Sequence, residues 1–283
     1  MKQALRWTLF SALILLAQAG AAKPWSAGNG WKLVWSDEFE KDGAPDPTKW
    51  GYEVGFVRNA ELQYYTRDRR ENARVEGGKL LIEARKEAWP NPGYKKGSKN
   101  WQEERKEAAY TSASLETAGK ADWTYGRFEV RAKLPFGRGM WPAAWMLGSN
   151  IPTAGWPLCG EIDIMENVGY DPDKAHFNVH TKAYNHSIGT GKGTSVALKR
   201  PDLAFHTYGI EWNKDQIEFF LDNKSVFTFK NEGTGVDTWP YDKPEYFILN
   251  SAVGGGWGGQ KGVDDSIFPA RYEIDYVRVF QKE

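Results

Sequence analysis

The amino-acid sequence predicts an all-β protein built as a sandwich of β-sheets. The chain contains 14 Trp, 13 Tyr and 14 Phe together with 30 Gly, a composition typical of β structure. Short stretches with strand-like alternation recur along the sequence with turn residues between them, and helical periodicity is nearly absent. No linker, repeat or shift in composition divides residues 23–283, so we predict a single domain there.

The strand signal is clearest at residues 125–134, where Phe128, Val130, Ala132 and Leu134 alternate with charged residues. Side chains of a strand point alternately to its two faces, so this pattern predicts one buried and one polar face. Further strands, including two hairpins that turn near residues 213–215 and 222–224, are predicted at residues 32–39, 79–86, 210–212, 216–221, 226–229, 246–253 and 272–280.

One stretch departs from the strand pattern. Residues 88–106 are rich in Pro, Gly, Lys and Glu, which punctuate regular structure and favour solvent. We predict an exposed loop or an insertion at the mouth of a site.

The first residues have the features of a secretory signal peptide. Lys2 and Arg6 supply positive charge, and residues 9–17 form an apolar run that is too short to span a bilayer. Small residues at positions 17, 19 and 21 suit signal peptidase. We predict a signal peptide at residues 1–22 and a secreted or periplasmic protein without a membrane anchor after cleavage; a buried N-terminal strand or an anchor helix is the alternative.

Composition excludes several classes of protein. Hydrophobic residues make up 41% and charged residues 26% of the chain, which fits neither a disordered nor a multi-span membrane protein. The chain has 37 Lys and Arg residues and 37 Asp and Glu residues. Because it carries no excess of basic residues, its charge does not indicate binding to nucleic acid. Cys159 is the only cysteine, and without a Cys-His pattern it is predicted to be a buried apolar residue rather than a nucleophile.

The densest chemistry lies in the sequence GEIDIMENVG at residues 160–169. In a regular strand Glu161 and Asp163 share one face, and the isoleucines between them pack into the core. Glu166 has the opposite parity, and burying its charge would be costly. One extra residue in the strand, a β-bulge at Met165, would return Glu166 to the acidic face.

Three carboxyl groups on one face cannot all ionise independently, so repulsion should raise the pKa of at least one. A retaining glycosidase needs this combination of one ionised nucleophile and one protonated acid. The open alternative is an acidic edge strand exposed to solvent.

The GEIDIMEN motif resembles the signature of family-16 glycoside hydrolases, and in particular of the laminarinase-like members. Further blocks resemble the family in the same order, at residues 59–66, 123–127, 140–147 and 274–279, so the resemblance covers about residues 31–281. It implies a curved β-jelly-roll sandwich of two antiparallel sheets with a concave sugar-binding cleft. It also implies that Glu161 is the nucleophile, Glu166 the general acid/base and Asp163 the residue that tunes them, in a mechanism that needs no cofactor.

The resemblance implies several substrate-binding residues as well, namely Asn59, Trp141, Trp145, His180 and Trp257. Trp141 and Trp145 share strand parity, so both can face the cleft; a core role is the alternative for Trp145. A zinc site formed by His176 and His180 is disfavoured, because two strand residues separated by four positions lie too far apart to bind the same metal ion.

Many members of the family bind Ca²⁺ on the convex face, which implies a structural site at Glu38, Gly78 and Asp275. Oxygen ligands would suit this cation. Ordinary surface acids are the alternative.

The extra residue at Met165 is shared with laminarinases, agarases and carrageenases of the family, and the neutral net charge disfavours sulfated polymers. The sequence therefore favours a monomeric endo-β-1,3-glucanase that also accepts mixed β-1,3/1,4-glucan. Arg58 in place of a usual Asn, and the Gly-rich residues 181–193, leave the linkage open. The alternatives are a galactan hydrolase, a glucan transglycosylase and a non-catalytic β-glucan-binding protein.

Overall fold

The computed structural model describes residues 30–282, so the predicted signal peptide lies outside the described residues. Two β-sheets pack face to face. Within the described range the only α-helix is a single turn, Ile151–Ala154, and two 3₁₀ turns lie at His186–Ile188 and Asp265–Ile267. The all-β prediction is confirmed. No helix in this range is long and apolar enough to cross a membrane.

The larger sheet has ten strands, numbered here in chain order. Two of them lie beside the main run of strands: β1 (Trp31–Asp37) pairs with β17 (Ala270–Lys282), and β4 (Ala73–Val75) pairs with β5 (Leu80–Pro90). The main path runs through β15 (Lys224–Lys230), β14 (Gln216–Leu221), β13 (His206–Trp212), β8 (Gly126–Lys133), β17 (Ala270–Lys282), β5 (Leu80–Pro90), β6 (Glu107–Ser112) and β3 (Gln63–Tyr65).

The smaller sheet has seven strands and carries the acidic motif near its middle. Its order is β12 (Lys192–Ala197), β11 (Lys174–His180), β10 (Glu161–Glu166), β9 (Met140–Gly148), β16 (Glu245–Val253), β7 (Ser114–Glu116) and β2 (Gly51–Glu53). β10 is therefore a central strand, bonded to β9 and β11, and the alternative of an acidic edge strand is wrong.

The core lies between the sheets. Phe128, Val130 and Ala132 on β8 are fully buried, as the alternation predicted, and Ile162 and Ile164 on β10 belong to the same core cluster. Burial of these apolar side chains is the main force that holds the sheets together. The opposite face of β10 is thereby left for the carboxylates.

Two details differ from the sequence prediction. β3 and β6 run parallel, because the chain between them returns through β4 and β5 and a long crossover permits a parallel pair; this short pair is a local exception within the predicted antiparallel sheets. β5 continues to Pro90, so the predicted loop begins at residue 91. The hairpins at β13–β14 and β14–β15 are confirmed.

Candidate active site

A β-bulge in β10 places all three carboxyl groups on the same face of the sheet. The register against β9 shifts between Asp163 and Met165, and on the β11 side it shifts between Asp163 and Glu166. Ile164 and Met165 are both buried in the core, so two consecutive residues point inward and Glu166 turns outward with Glu161. The predicted bulge is confirmed.

These carboxyl groups line an open cleft of about 1000 Å³ on the outer face of the seven-stranded sheet. The structure brings every predicted catalytic and substrate-binding residue to this cleft. Its lining includes Asn59, Trp141, Trp145, Glu161, Asp163, Glu166, His180 and Trp257.

Glu161 lies beside two side chains that favour its ionised form. The Nε1 atom of Trp156 donates a hydrogen bond of 2.8 Å to its Oε2 atom, and Nε2 of His180 lies 3.6 Å from its Oε1 atom. Burial raises the pKa of Glu161, and the His180 charge and the Trp156 hydrogen bond oppose that rise. The nearby cation makes Glu161 the better candidate for an ionised nucleophile.

Glu166 is only 9% exposed and contacts neutral donors. Trp141 Nε1 donates to its Oε1 atom at 2.9 Å, and Asn178 Nδ2 donates to its Oε2 atom at 3.1 Å. Burial, followed by the charge of Asp163, raises the pKa of Glu166 to about 8. A carboxyl group that keeps its proton near neutral pH can act as a general acid.

Asp163 lies between these two groups and pairs with His180, whose Nε2 atom is 3.2 Å from its Oδ2 atom. Burial alone would lower the pKa of His180, but Asp163 and then the neighbouring glutamates raise it to about 9. Burial and the charge of Glu161 raise the pKa of Asp163. The imidazolium thus offsets part of the charge on the carboxylate strand.

Among the described residues, Glu161, Asp163 and His180 form the one cluster of acidic, His or Cys side chains close enough to share a metal ion, with ligand atoms within 4.8 Å of one another. A protonated imidazole has no lone pair to offer a metal. With the pKa of His180 at about 9, this arrangement fits a hydrogen-bonded catalytic cluster better than a metal site.

Aromatic side chains flank both ends of the acidic strand. The rings of Trp141 and Trp257 meet edge to face at 5.5 Å, and Trp257 lies 4.9 Å from the ring of His176. At the Glu161 end, the ring of Trp156 lies 5.3 Å from that of His186. Such rings suit the apolar faces of sugars.

Trp145 is built into the floor of the cleft. It is 7% exposed, its Nε1 atom donates to Asn250 Oδ1 at 2.8 Å, and the Arg58 guanidinium lies 4.8 Å above its ring. Arg58 in turn forms an ion pair with Glu53. Trp145 therefore supports Arg58 instead of offering an open stacking face.

Two of the three predicted calcium ligands, Glu38 and Asp275, have other partners. Glu38 accepts two hydrogen bonds from Arg278, at 2.9 and 2.7 Å, and Asp275 pairs with Arg131. A cation bound by these two carboxylates would have to displace both guanidinium groups, so the residues as arranged do not fit Ca²⁺. The calcium site stays a prediction without further support.

Trp156, Arg58 and His186 are among the residues of the cleft that sequence reasoning did not assign. Trp156 stands five positions before Glu161, and its place beside the acidic motif was a usable signal. Arg58 was noted only as a departure from the family pattern. His186 belongs to the Gly-rich stretch, and only the fold shows that this stretch returns to the cleft.

Comparisons with known proteins agree with this geometry. The model of glycosyl hydrolases family 16 matches residues 61–278. The β-glucanase of Rhodothermus marinus is 49% identical over 99% of this chain and 96% of that protein, and a glucan endo-1,3-beta-glucosidase of Cryptopygus antarcticus is 36% identical over 89% and 93%. The crystal structure of the laminarinase from Rhodothermus marinus aligns with a TM-score of 0.81 at 50% identity, covering 89% of this chain and 98% of that one. The chain belongs to the family-16 glycosyl hydrolases, and its two packed sheets form the jelly roll of that family.

Proposed function

We propose that this chain is a secreted, retaining endo-β-1,3-glucanase of the laminarinase type that also cleaves mixed β-1,3/1,4-glucan. One observation carries the proposal: Glu161 and Glu166 line one cleft in opposite environments, the first beside a cationic His180 and the second among neutral donors. This asymmetry separates a nucleophile from an acid. The relatives named as β-glucanase, laminarinase and glucan endo-1,3-beta-glucosidase support the choice of polymer.

The mechanism follows from this assignment as a double displacement. Glu166 gives its proton to the glycosidic oxygen while a carboxylate oxygen of Glu161 attacks the anomeric carbon, and the bond to the leaving sugar breaks. The resulting glycosyl ester on Glu161 is then hydrolysed. The ionised Glu166 takes a proton from water, the hydroxide equivalent attacks the anomeric carbon, and Glu161 leaves with its original charge. Two inversions leave the configuration retained.

Neighbouring side chains support each step. His180 and Asp163 hold compensating charges next to Glu161, so the carboxylate stays available as a nucleophile. Trp141 and Asn178 fix both oxygens of Glu166, which keeps the acid oriented toward the glycosidic oxygen. The chemistry requires no metal or organic cofactor.

Location and assembly complete the proposal. The predicted signal peptide at residues 1–22 supports export to the periplasm or the medium. The proposed enzyme is a monomer, and the balanced charge supports neither a nucleic-acid nor an anionic-membrane partner.

Parallel digestion of laminarin, barley β-glucan, agarose and carrageenan by the mature protein tests the proposal. We expect early release of short oligosaccharides from laminarin, slower release from barley β-glucan and no release from the galactans. Products longer than the substrate at high oligosaccharide concentration would assign a transglycosylase. Cleavage of a galactan would contradict the choice of β-glucan as the substrate. Binding of laminarin without cleavage would indicate a non-catalytic β-glucan-binding protein.

A further inference from the structure

Residues 91–106, here called the β5–β6 loop, pack against the backbone that carries Arg58 and Asn59. The sequence predicted this loop at the mouth of a site, but the residues that line the cleft do not include it. Its contacts are with residues 55–62, here called the rim segment, which supplies one wall of the cleft. The loop therefore acts on the cleft through the rim segment.

The rim segment needs external support because part of its backbone is strained. Asn59 and Ala60 have φ angles of 56° and 51°, in the left-handed region. That region is unfavourable for alanine, because its Cβ atom comes too close to the following carbonyl oxygen. Such conformations persist where the surrounding structure over-determines them.

Main-chain hydrogen bonds fix the ends and one side of the rim segment. Gly55 and Tyr65 exchange two backbone hydrogen bonds at 2.9 and 3.0 Å. Gly256 N donates to the Asn59 carbonyl at 2.9 Å, which connects the rim segment to the loop that carries Trp257.

Two side chains of the β5–β6 loop donate further hydrogen bonds to the backbone of the rim segment. Gln102 Nε2 donates to the carbonyl oxygens of Phe56 and Val57, at 2.6 and 3.2 Å. Arg105 Nη1 donates to the Glu61 carbonyl at 3.3 Å, and its guanidinium lies 5.3 Å from the Phe56 ring. The loop thus holds the backbone on both sides of Arg58 and Asn59.

Asn91 connects these two contacts inside the loop. It is 8% exposed, and its Nδ2 atom donates to the carbonyls of Gln102 and Arg105, both at 2.9 Å. Its Oδ1 atom accepts from Gly93 N at 3.0 Å. One buried amide therefore orients the residues that contact the rim segment.

We propose that Gln102 and Asn91 are positioning residues for glucan binding, which hold the rim segment so that Arg58 and Asn59 face the sugar. The proposal rests on the proposed function, because the ligand is taken to be the β-glucan. The β5–β6 loop sets how tightly the polymer binds, and the carboxylate chemistry at Glu161 and Glu166 is independent of it.

Steady-state kinetics on laminarin test this role with Gln102→Ala and Gln102→Glu. The glutamate variant keeps the shape but cannot donate to two carbonyls, so we expect both variants to raise KM about tenfold, the equivalent of ~1.4 kcal/mol, with kcat within about twofold of the parent. Lys95→Ala is the control, since Lys95 pairs with Glu103 in the same loop and is exposed. The control should keep the parent KM. A lower kcat at unchanged KM, or a parent-like KM in both variants, would overturn the proposal.

A double-mutant cycle separates positioning from a general loss of stability. If Gln102 acts through Asn59, adding Gln102→Ala to Asn59→Ala should change KM by much less than it does in the parent. If the KM of the double variant instead rose by the product of the two single-variant increases, the proposal would be contradicted. A parent protein that cleaves no glucan would instead refute the proposed function, so the two failures are distinguishable.

Discussion

The indole Nε1 atom of Trp156 donates a 2.8 Å hydrogen bond to Oε2 of Glu161. This bond opposes the rise in the pKa of Glu161 that burial causes. Trp141 makes the corresponding contact with Glu166, so each reacting carboxyl group is oriented by one tryptophan of the cleft wall. The two groups differ in what else surrounds them, and that difference assigns their roles.

Trp156→Phe should keep the ring and remove the donor. Without the hydrogen bond the pKa of Glu161 rises, so the acidic limb of the kcat/KM profile should move to higher pH. A pH–rate profile on laminarin measures the shift, with Trp145→Phe as a control for loss of an indole donor that does not touch the acid. A limb that stays in place would show that Trp156 does not tune Glu161.

Replacement of either glutamate should separate the two chemical steps. Glu161→Ala should lose at least about 10³-fold in kcat on every glucoside, because no nucleophile remains. Glu166→Ala should lose about 10²–10⁴-fold on polysaccharide but retain much of its rate of glycosyl-enzyme formation with an aryl glycoside, whose leaving group needs no proton. Burst kinetics with such a glycoside check this. If either variant hydrolysed polysaccharide at the parent rate, the role assigned to the replaced glutamate would be wrong.

The alkaline limb of kcat/KM should report the proton on Glu166, whose pKa is about 8. A higher pKa keeps the acid protonated to higher pH, so the limb moves with the pKa. Asn178→Ala removes a hydrogen bond that lowers this pKa, and Asp163→Asn removes a charge that raises it. We expect shifts of about half to one unit upward and about one unit downward, respectively. Shifts of the same sign would contradict the assignment of this limb.

Glu245 offers a prediction about stability behind the catalytic strand. Its side chain is buried with neither oxygen hydrogen-bonded, and burial raises its pKa. The folded protein therefore holds this proton more tightly than the unfolded chain, so stability is lost as pH rises above the unfolded value of about 4.3. Glu245→Met should raise the unfolding free energy by about 1–3 kcal/mol, and more at pH 8 than at pH 5. Urea denaturation at both values measures this; an equal or smaller gain at pH 8 would show that Glu245 is paired.

Local sequence patterns predicted the acidic site well, because the three carboxyl groups lie on a single strand and their positions follow from its side-chain alternation. The parity of Glu161 and Asp163, together with the cost of burying Glu166, required the bulge that the structure contains. The alternation in β8 likewise marked its buried face.

Contacts between distant segments were beyond such reasoning. Arg58 lies over Trp145 and Gln102 reaches Phe56 only because segments far apart in the sequence meet in the fold. The sequence also could not show that Arg278 and Arg131 take the two carboxylates expected to bind calcium. In each case the missing information is a pairing over long sequence separation, which spacing along one strand does not encode.

The stereochemistry of the first product tests the central claim most directly. Proton NMR of laminari-oligosaccharide hydrolysis should show the β-anomer of the new reducing end first, followed by the α-anomer as mutarotation proceeds, because Glu161 and Glu166 produce two successive inversions. Initial appearance of the α-anomer would mean a single displacement by water and would contradict the role of Glu161 as nucleophile.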